Sequence, residues 1–327
     1  MTYYGRIYKM KSHKHCIITW IMTGCLVIGN LTGCTNRTDT STSDAVVSSG
    51  QKTQISQQTV DHNENEDSNL GAWGRAMGAV LISMNDGNPY YFGGYETTEA
   101  NKKAAKNILK TSWNISNRKD LLKQIDYLLI TGNRTDYRRE AKELKTLSPK
   151  KKKKALKQVS GPLKIHYDNL QYISDTWGKR GLLAWDLCRI SHLVQWGYIA
   201  DYINLDEAQA LLEPAAQKIK KEFDNWKDVV YNWLDGYAYS NSIQIRSIEK
   251  TDYTNRREIY EKLVNDQTDR DPLYDDNLFH EDIISLGTVT YKNLMNEIKP
   301  KKKNTKKSAK IKNQTNKKRK DSEEKTK

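Results

Sequence analysis

Apolar residues recur at three- and four-residue spacing through most of the stretch from Gly71 to Gly236, and no run alternates as a half-buried strand does. Trp73, Met77, Val80 and Leu81 open the pattern, and the Asn85-Asp-Gly-Asn-Pro89 cluster marks the first turn. Glu96 to Ser112 reads as a second helix. The clearest helix is 118–131. Asn117 can cap it, Asp120 lies in its first turn, and Leu121, Leu122, Ile125, Leu128 and Leu129 form one stripe before Gly132 stops it. A polar helix over 136–147 leads to Pro149 and the lysine run Lys150 to Lys154. Pro162 to Trp177 reads as helical.

The segment from Gly181 to Gly197 is apolar on two sides. Leu183, Leu187, Ile190 and Val194 share one face, while Leu182, Leu193 and Trp196 cover another, which places this helix centrally. Asn204-Leu-Asp-Glu207 has the form of a capping box. It opens a helix carrying Ala208, Leu211, Leu212, Ala215, Ile219 and Phe223, in which Pro214 predicts a kink or a break. Asp224 or Asn225 caps a further helix with Trp226, Val229, Val230 and Trp233, expected to end at Gly236. Residues 241–298 carry a weaker signal, with Asp266 to Asp271 as a loop. The fold class predicted is all-α, an irregular domain of roughly seven or more helices over 71–298.

The flanks differ. Residues 34–70 are dominated by Ser, Thr, Asn, Gln and Asp, too polar to offset the entropy of ordering, and read as a tether with an r.m.s. span of about 33 Å. Residues 299–327 are lysine-rich with almost nothing apolar, a solvated tail. Charge sharpens this division. The net charge of +14 comprises +4 in residues 1–33 and +11 in residues 299–327, so residues 34–298 sit near neutrality. The basic balance belongs to the ends and is no argument that the folded part binds nucleic acid. No run of eighteen apolar residues occurs, which excludes a polytopic membrane protein.

A basic start to Lys14 is followed by the apolar run Cys16 to Ile28, the length of a signal-peptide core and short for a bilayer span. Leu31-Thr32-Gly33-Cys34 then precedes the polar tether. These residues resemble a bacterial lipoprotein signal with its lipobox. The resemblance implies cleavage of residues 1–33 and a diacylglyceryl thioether on Cys34. Two acyl chains hold a protein stably at a membrane where one is marginal. A rival box, Met22-Thr-Gly-Cys25, has only a short apolar run before it, and an uncleaved anchor or ordinary cleavage are the other readings. With Cys16 and Cys25 removed and Cys34 acylated, Cys188 is left alone and is expected to be a core residue.

Three further segments resemble one family. They are Ser112-Trp-Asn-Ile-Ser-Asn-Arg-Lys-Asp-Leu-Leu122 with Gly132, then Trp185-Asp-Leu-Cys-Arg189, then Trp196-Gly-Tyr-Ile-Ala-Asp-Tyr-Ile-Asn-Leu-Asp-Glu-Ala208 running to Asn225-Trp226 and Gly236. The sequence is similar to the bacterial "domain of unknown function 1266" family over residues 73–240. Asp201 stands where that pattern has glycine, and Gly236-Tyr237 replaces a Gly-Arg pair, removing a cation. The family brings a fold expectation and no catalytic residues.

The most site-like cluster is Asp186, Arg189 and His192, which at i, i+3 and i+6 span about 120° of one helix. A buried histidine beside a carboxylate and a guanidinium could do acid–base chemistry. The alternative is an Asp186–Arg189 structural ion pair tying this helix to a neighbour, with His192 at the rim. No nucleophile or second carboxylate accompanies the trio, so the structural reading leads. His166 with Asp168, and His280 with Glu281 and Asp282, lack metal-ligand spacing, and Asp269, Asp271 and Asp275 mimic a calcium loop with Tyr274 where glycine is needed. No P-loop, dinucleotide turn or nucleophile elbow is present, and no metal or cofactor is expected. Nineteen Tyr and eight Trp against three Phe suit a wet core or a binding surface, with Tyr237 and Tyr239 the expected exposed pair.

These readings combine into a lipid-anchored protein on the extracytoplasmic face of the cell membrane. It would be a binding or envelope-associated module whose tail contacts anionic lipid or a cell-wall polymer. The competing class is an enzyme using Asp186, Arg189 and His192 in a helical cleft. A third, an intracellular polyanion or nucleic-acid binder, requires that the N-terminus is not an export signal.

Overall fold

A computed structural model describes residues 68–266, 271–285 and 287–299. The expected signal segment and Cys34, the tether as far as residue 67, Asp269 of the supposed calcium loop, and the tail from residue 300 lie outside the described residues. The elements are α1 (Leu70–Met84), α2 (Glu99–Trp113), α3 (Arg118–Ile130), α4 (Arg134–Thr146), α5 (Pro149–Lys157) and α6 (Gly161–Trp177). They continue as α7 (Leu183–Ile199), α8 (Leu205–Glu222), α9 (Trp226–Asn241), α10 (Asp252–Val264), α11 (Asp276–His280) and α12 (Tyr291–Ile298). No strand occurs among the described residues, so the all-α expectation stands.

The two-sided helix is the hub. α7 packs against α1, α2, α3, α8 and α9. Leu187, Ile190, Leu193 and Val194 are fully buried, each contributing about 1.5–3 kcal/mol of burial. The α1 crossing is close because Gly78 leaves room for Gln195, whose Nε2 would lie 2.3 Å from an added Cβ. Ser191 Oγ and Gln195 Nε2 both donate to the Gly74 carbonyl, at 2.6 and 3.0 Å. These polar side chains on a central helix are thereby satisfied inside the core.

Caps fall where the sequence places them. Asn117 accepts from the Asp120 N–H and Asn225 from the Asp228 N–H. Asn204 and Glu207 form the reciprocal capping box. Asp201, at the family's glycine position, adopts φ +61°, so the left-handed turn is kept and strained by a residue with a side chain.

Two expectations are corrected. α8 runs unbroken through Pro214 to Glu222. Leu211, Leu212, Ala215, Ala216 and Ile219 are all buried around it, and that packing outweighs the ~3 kcal/mol a mid-helix proline costs. α9 does not stop at Gly236 but continues to Asn241. That glycine serves close approach, since a Cβ there would sit 2.3 Å from Cβ of Trp185. The lysine run beyond Pro149, for which the sequence pattern made no assignment, is helical, with proline at the start and no buried residue. The weakly patterned 241–298 region packs on the same body: α10 lies against α1 and α9, and α12 against α3 and α8. Arg118 clamps that last contact with paired hydrogen bonds to Glu207, both 2.7 Å, and to Glu297, 2.9 and 3.0 Å.

Candidate functional site

Asp186 is fully buried, and its principal partner is not Arg189. Gly132, at φ +61°, turns the chain out of α3, and a Cβ there would lie 2.1 Å from Asp186 Oδ2. The next two residues donate their backbone N–H groups to the carboxylate, Asn133 to Oδ1 at 2.9 Å and Arg134 to Oδ2 at 3.0 Å. Asn133 gives α4 no side-chain cap, so Asp186 caps that helix from across the fold, where its charge meets the positive end of the helix dipole. Arg134, itself buried, donates from Nη1 to Asp186 Oδ2 at 2.9 Å. Its remaining donors close the C-terminus of α3 through the Leu128 and Leu129 carbonyls. One ion pair thus ties the end of α3, the start of α4 and the flank of α7.

Arg189 Nη1 lies 3.8 Å from Asp186 Oδ1. Its guanidinium stacks on Trp113 and Trp185, 5.0 and 4.7 Å from the ring centroids, a mostly buried cation–π arrangement. His192 is not at the rim, as expected from sequence, but almost wholly buried. It borders a cavity of about 10 Å³ with Cys188, Val229, Trp233 and Tyr274, about the room of one water molecule. Burial, with Arg189 and Arg256 adding to it, pushes its imidazole down to about 3, so it is neutral at ordinary pH. Cys188 is a free, buried thiol whose pKa burial raises. Asp186 faces α4 while His192 faces this small cavity, so the trio does not converge on an open cleft.

The other candidates are accounted for by local contacts. His166 Nε2 is 2.9 Å from Glu140 Oε2, which also accepts from the Tyr239 hydroxyl at 2.7 Å. Asp168 pairs with Lys164. Asp282 pairs with Lys220, which also bonds the His280 and Glu281 carbonyls. Asp275 caps α11 by accepting from the Asn277 N–H. Among the described residues no three His, Cys, Asp or Glu side chains gather as metal ligands. No described helix is long and apolar enough to cross a membrane.

Tyr237 and Tyr239, expected to be exposed, are buried because α9 continues past Gly236 into the packed interior. Tyr237 donates to Asp252 at 3.1 Å and lies 3.7 Å beneath the Arg256 guanidinium. Arg256 of α10 thus sets a cation directly over the Tyr237 ring. Asp235 next to it accepts from Trp177 Nε1 at 2.8 Å and from the Tyr253 hydroxyl at 3.3 Å. Burial lifts its carboxyl to about 6 against those bonds.

Sequence reasoning missed one surface feature. An open groove of about 600 Å³ between α4 and the end of α6 is lined by Tyr137, Arg138, Lys142, Lys145, Ser174 and Lys179, among others. Arg138, Lys142 and Lys145 recur at i, i+4 and i+7, a spacing that puts them on one face of α4. That signal was legible, but Lys179 joins them only through the fold.

Compared with known proteins, the chain matches the model of a protein family of unknown function, DUF1266, over residues 108–273. The match starts later and ends later than the 73–240 read from the motifs, taking in α10. No curated protein and no solved structure matches.

Proposed function

This chain belongs to the DUF1266 family, and from that footing we propose that it is a lipid-anchored, extracytoplasmic binding module rather than an enzyme. The observation that carries binding over catalysis is the occupation of Asp186: two backbone N–H groups and Arg134 engage its carboxylate inside the core. A catalytic acid or base must reach substrate, and this one is closed off by the helices it joins. His192, buried and neutral, borders a cavity with room for about one water molecule, too small for a substrate.

The anchor rests on Leu31-Thr32-Gly33-Cys34 and the polar stretch that follows it. Near an anionic surface the tail's lysines would each add about 1 kcal/mol of salt-sensitive attraction. The test is fractionation of cells carrying the wild type or Cys34→Ala, with a high-salt wash and intact mass. The expected result is a wild type that stays with the membrane in salt and begins at an acylated Cys34, and a variant that does not. Soluble wild type beginning at Met1 would overturn the anchor and favour an intracellular polyanion as partner of the basic ends.

A further inference from the structure

We propose that the groove between α4 and α6 is a binding site for a ligand carrying two or more phosphate groups. The inference deepens the binding-module reading by naming the ligand's chemistry, and it does not depend on the anchor. Four cations, Arg138, Lys142, Lys145 and Lys179, line the groove, and no carboxylate is among the lining residues. None of the four has an ion-pair partner among the described residues. Of the nearby acids, Asp136 pairs with Arg139 at 2.8 Å, while Asp175, outside the lining, accepts from the neutral Gln171 amide at 2.6 and 2.7 Å and keeps its charge. Four like charges around one groove, with a single acid beside it and none in its lining, are a repulsive arrangement that a multivalent anion relieves.

The floor of the groove adds an independent sign. The Tyr137 side chain is buried, and its hydroxyl has no well-formed hydrogen bond among the described residues. The Ser174 hydroxyl, which also lines the groove, approaches it closely enough to make it more acidic, as a weak hydrogen bond does. A buried hydroxyl left with at most one weak bond costs free energy, and a phosphate oxygen in the groove would accept from it. Tyr137 is held rigidly for that task. Its ring meets Tyr239 edge-on at 5.7 Å and closes over Gly181, where an added Cβ would lie 2.7 Å from the ring.

Arginine contributes a planar fork suited to two phosphate oxygens, while the lysines act as mobile point charges around it. Thr146 also lines the groove, but its hydroxyl donates to the Glu143 carbonyl at 2.7 Å. The volume suits a ligand larger than a single phosphate. A positive field extends beyond the groove along α5, whose Lys150 to Lys154 and Lys157 are helical and largely exposed. That helix would draw anions toward the site without shaping it.

The experiment measures pyrophosphate binding to the full chain by calorimetry at low salt, with hydrogen exchange locating the protected segments. The variants are Arg138→Gln with Lys142→Gln, Tyr137→Phe, and a control, Lys150→Gln with Lys153→Gln, which removes two charges outside the groove. The expected result is protection over residues 137–146 and 174–179. The groove pair should lose at least tenfold in affinity, Tyr137→Phe about threefold to tenfold, and the α5 control less than threefold. All substituted side chains but Tyr137 are largely exposed, and Tyr137→Phe keeps the ring, so thermal melts should stay within a few degrees. Two results would overturn the proposal: no binding by the wild type, or equal losses in the groove and control variants. A second arm uses cardiolipin vesicles. If they protect the same segments and compete with pyrophosphate, the phosphates come from a lipid headgroup. If they do not, the ligand is soluble. Failure here leaves the Cys34 fractionation unaffected, so the site and the anchor fail separately.

Discussion

Two buried titratable groups pull the stability of this domain in opposite directions as pH falls. His192 has its pKa lowered to about 3 in the fold, from an ordinary value of 6.5. Between those values the unfolded chain binds a proton that the native state refuses, so acidification destabilises by about 1.4 kcal/mol per pH unit. At pH 5 that amounts to about 2 kcal/mol. Asp235 behaves oppositely. Its pKa is raised to about 6 from 3.8, so between pH 6 and 4 the native state holds the extra proton. Its contribution is fully present below the unfolded value and is lost as pH rises through 6. From pH 6 to 4 the two slopes cancel, leaving only the ordinary titration of other groups.

Asp235→Asn removes one arm of the balance. The amide oxygen can still accept from Trp177, and the amide NH2 then faces the Tyr253 hydroxyl, which can turn to accept, so the perturbation is chiefly one of titration. Relative to wild type, the variant should lose an additional ~2–3 kcal/mol on going from pH 7 to pH 4. His192→Leu should do the reverse and gain relative to wild type over pH 6 to 4. Urea unfolding at each pH unit, followed by circular dichroism, gives both differences. Taking variant minus wild type removes the contribution of the remaining carboxylates. A pH-independent difference between Asp235→Asn and wild type would refute the reasoning. It would mean that the carboxyl is solvated and ionised in the native state.

Gly236→Ala should destabilise by about 1–3 kcal/mol, although alanine is the better helix former by about 1 kcal/mol, because the methyl group meets Trp185. Thermal melting checks the sign, and a stabilised variant would show that α9 can move away from α7. Glu297→Ala breaks half of the Arg118 clamp at a partly exposed position. It should cost about 0.5–1 kcal/mol, read most directly as faster hydrogen exchange confined to α12.

Much of this architecture was legible because it is local. The stripe from Leu121 to Leu129, the Asn117, Asn204 and Asn225 caps, and the double-faced run from Leu182 to Trp196 each announce themselves within a few turns of chain. What escaped was non-local. Asp186 and Arg189 were readable as neighbours on one helix, but the dominant partner, Arg134, is more than fifty residues away and comes close only because Gly132 turns the chain beneath α7. Gly236 carries the sequence signature of a helix stop, and only the fold brings Trp185 against it. With Gly236 inside α9 rather than at its end, the helix runs on to Asn241 and carries Tyr237 and Tyr239 into the packed interior. The same limit applies to the groove, where three cations share a helical face in sequence and the fourth arrives from the end of α6.

The claim that the Asp186 cluster is a joint rather than a centre of chemistry is tested most directly by a double-mutant cycle. The variants are Asp186→Asn, Arg134→Met and the pair. Leaving either charge buried without the other should cost about 3–5 kcal/mol, lowering the melting temperature by roughly 6–15 °C for a domain of this size. The pair should be more stable than the sum of the single losses predicts, with a coupling of about 2 kcal/mol or more. Contradiction would come from an Asp186→Asn variant within 1 kcal/mol of wild type and uncoupled to Arg134. The carboxylate would then be free of structural duty, and chemistry at Asp186 would again be the better reading.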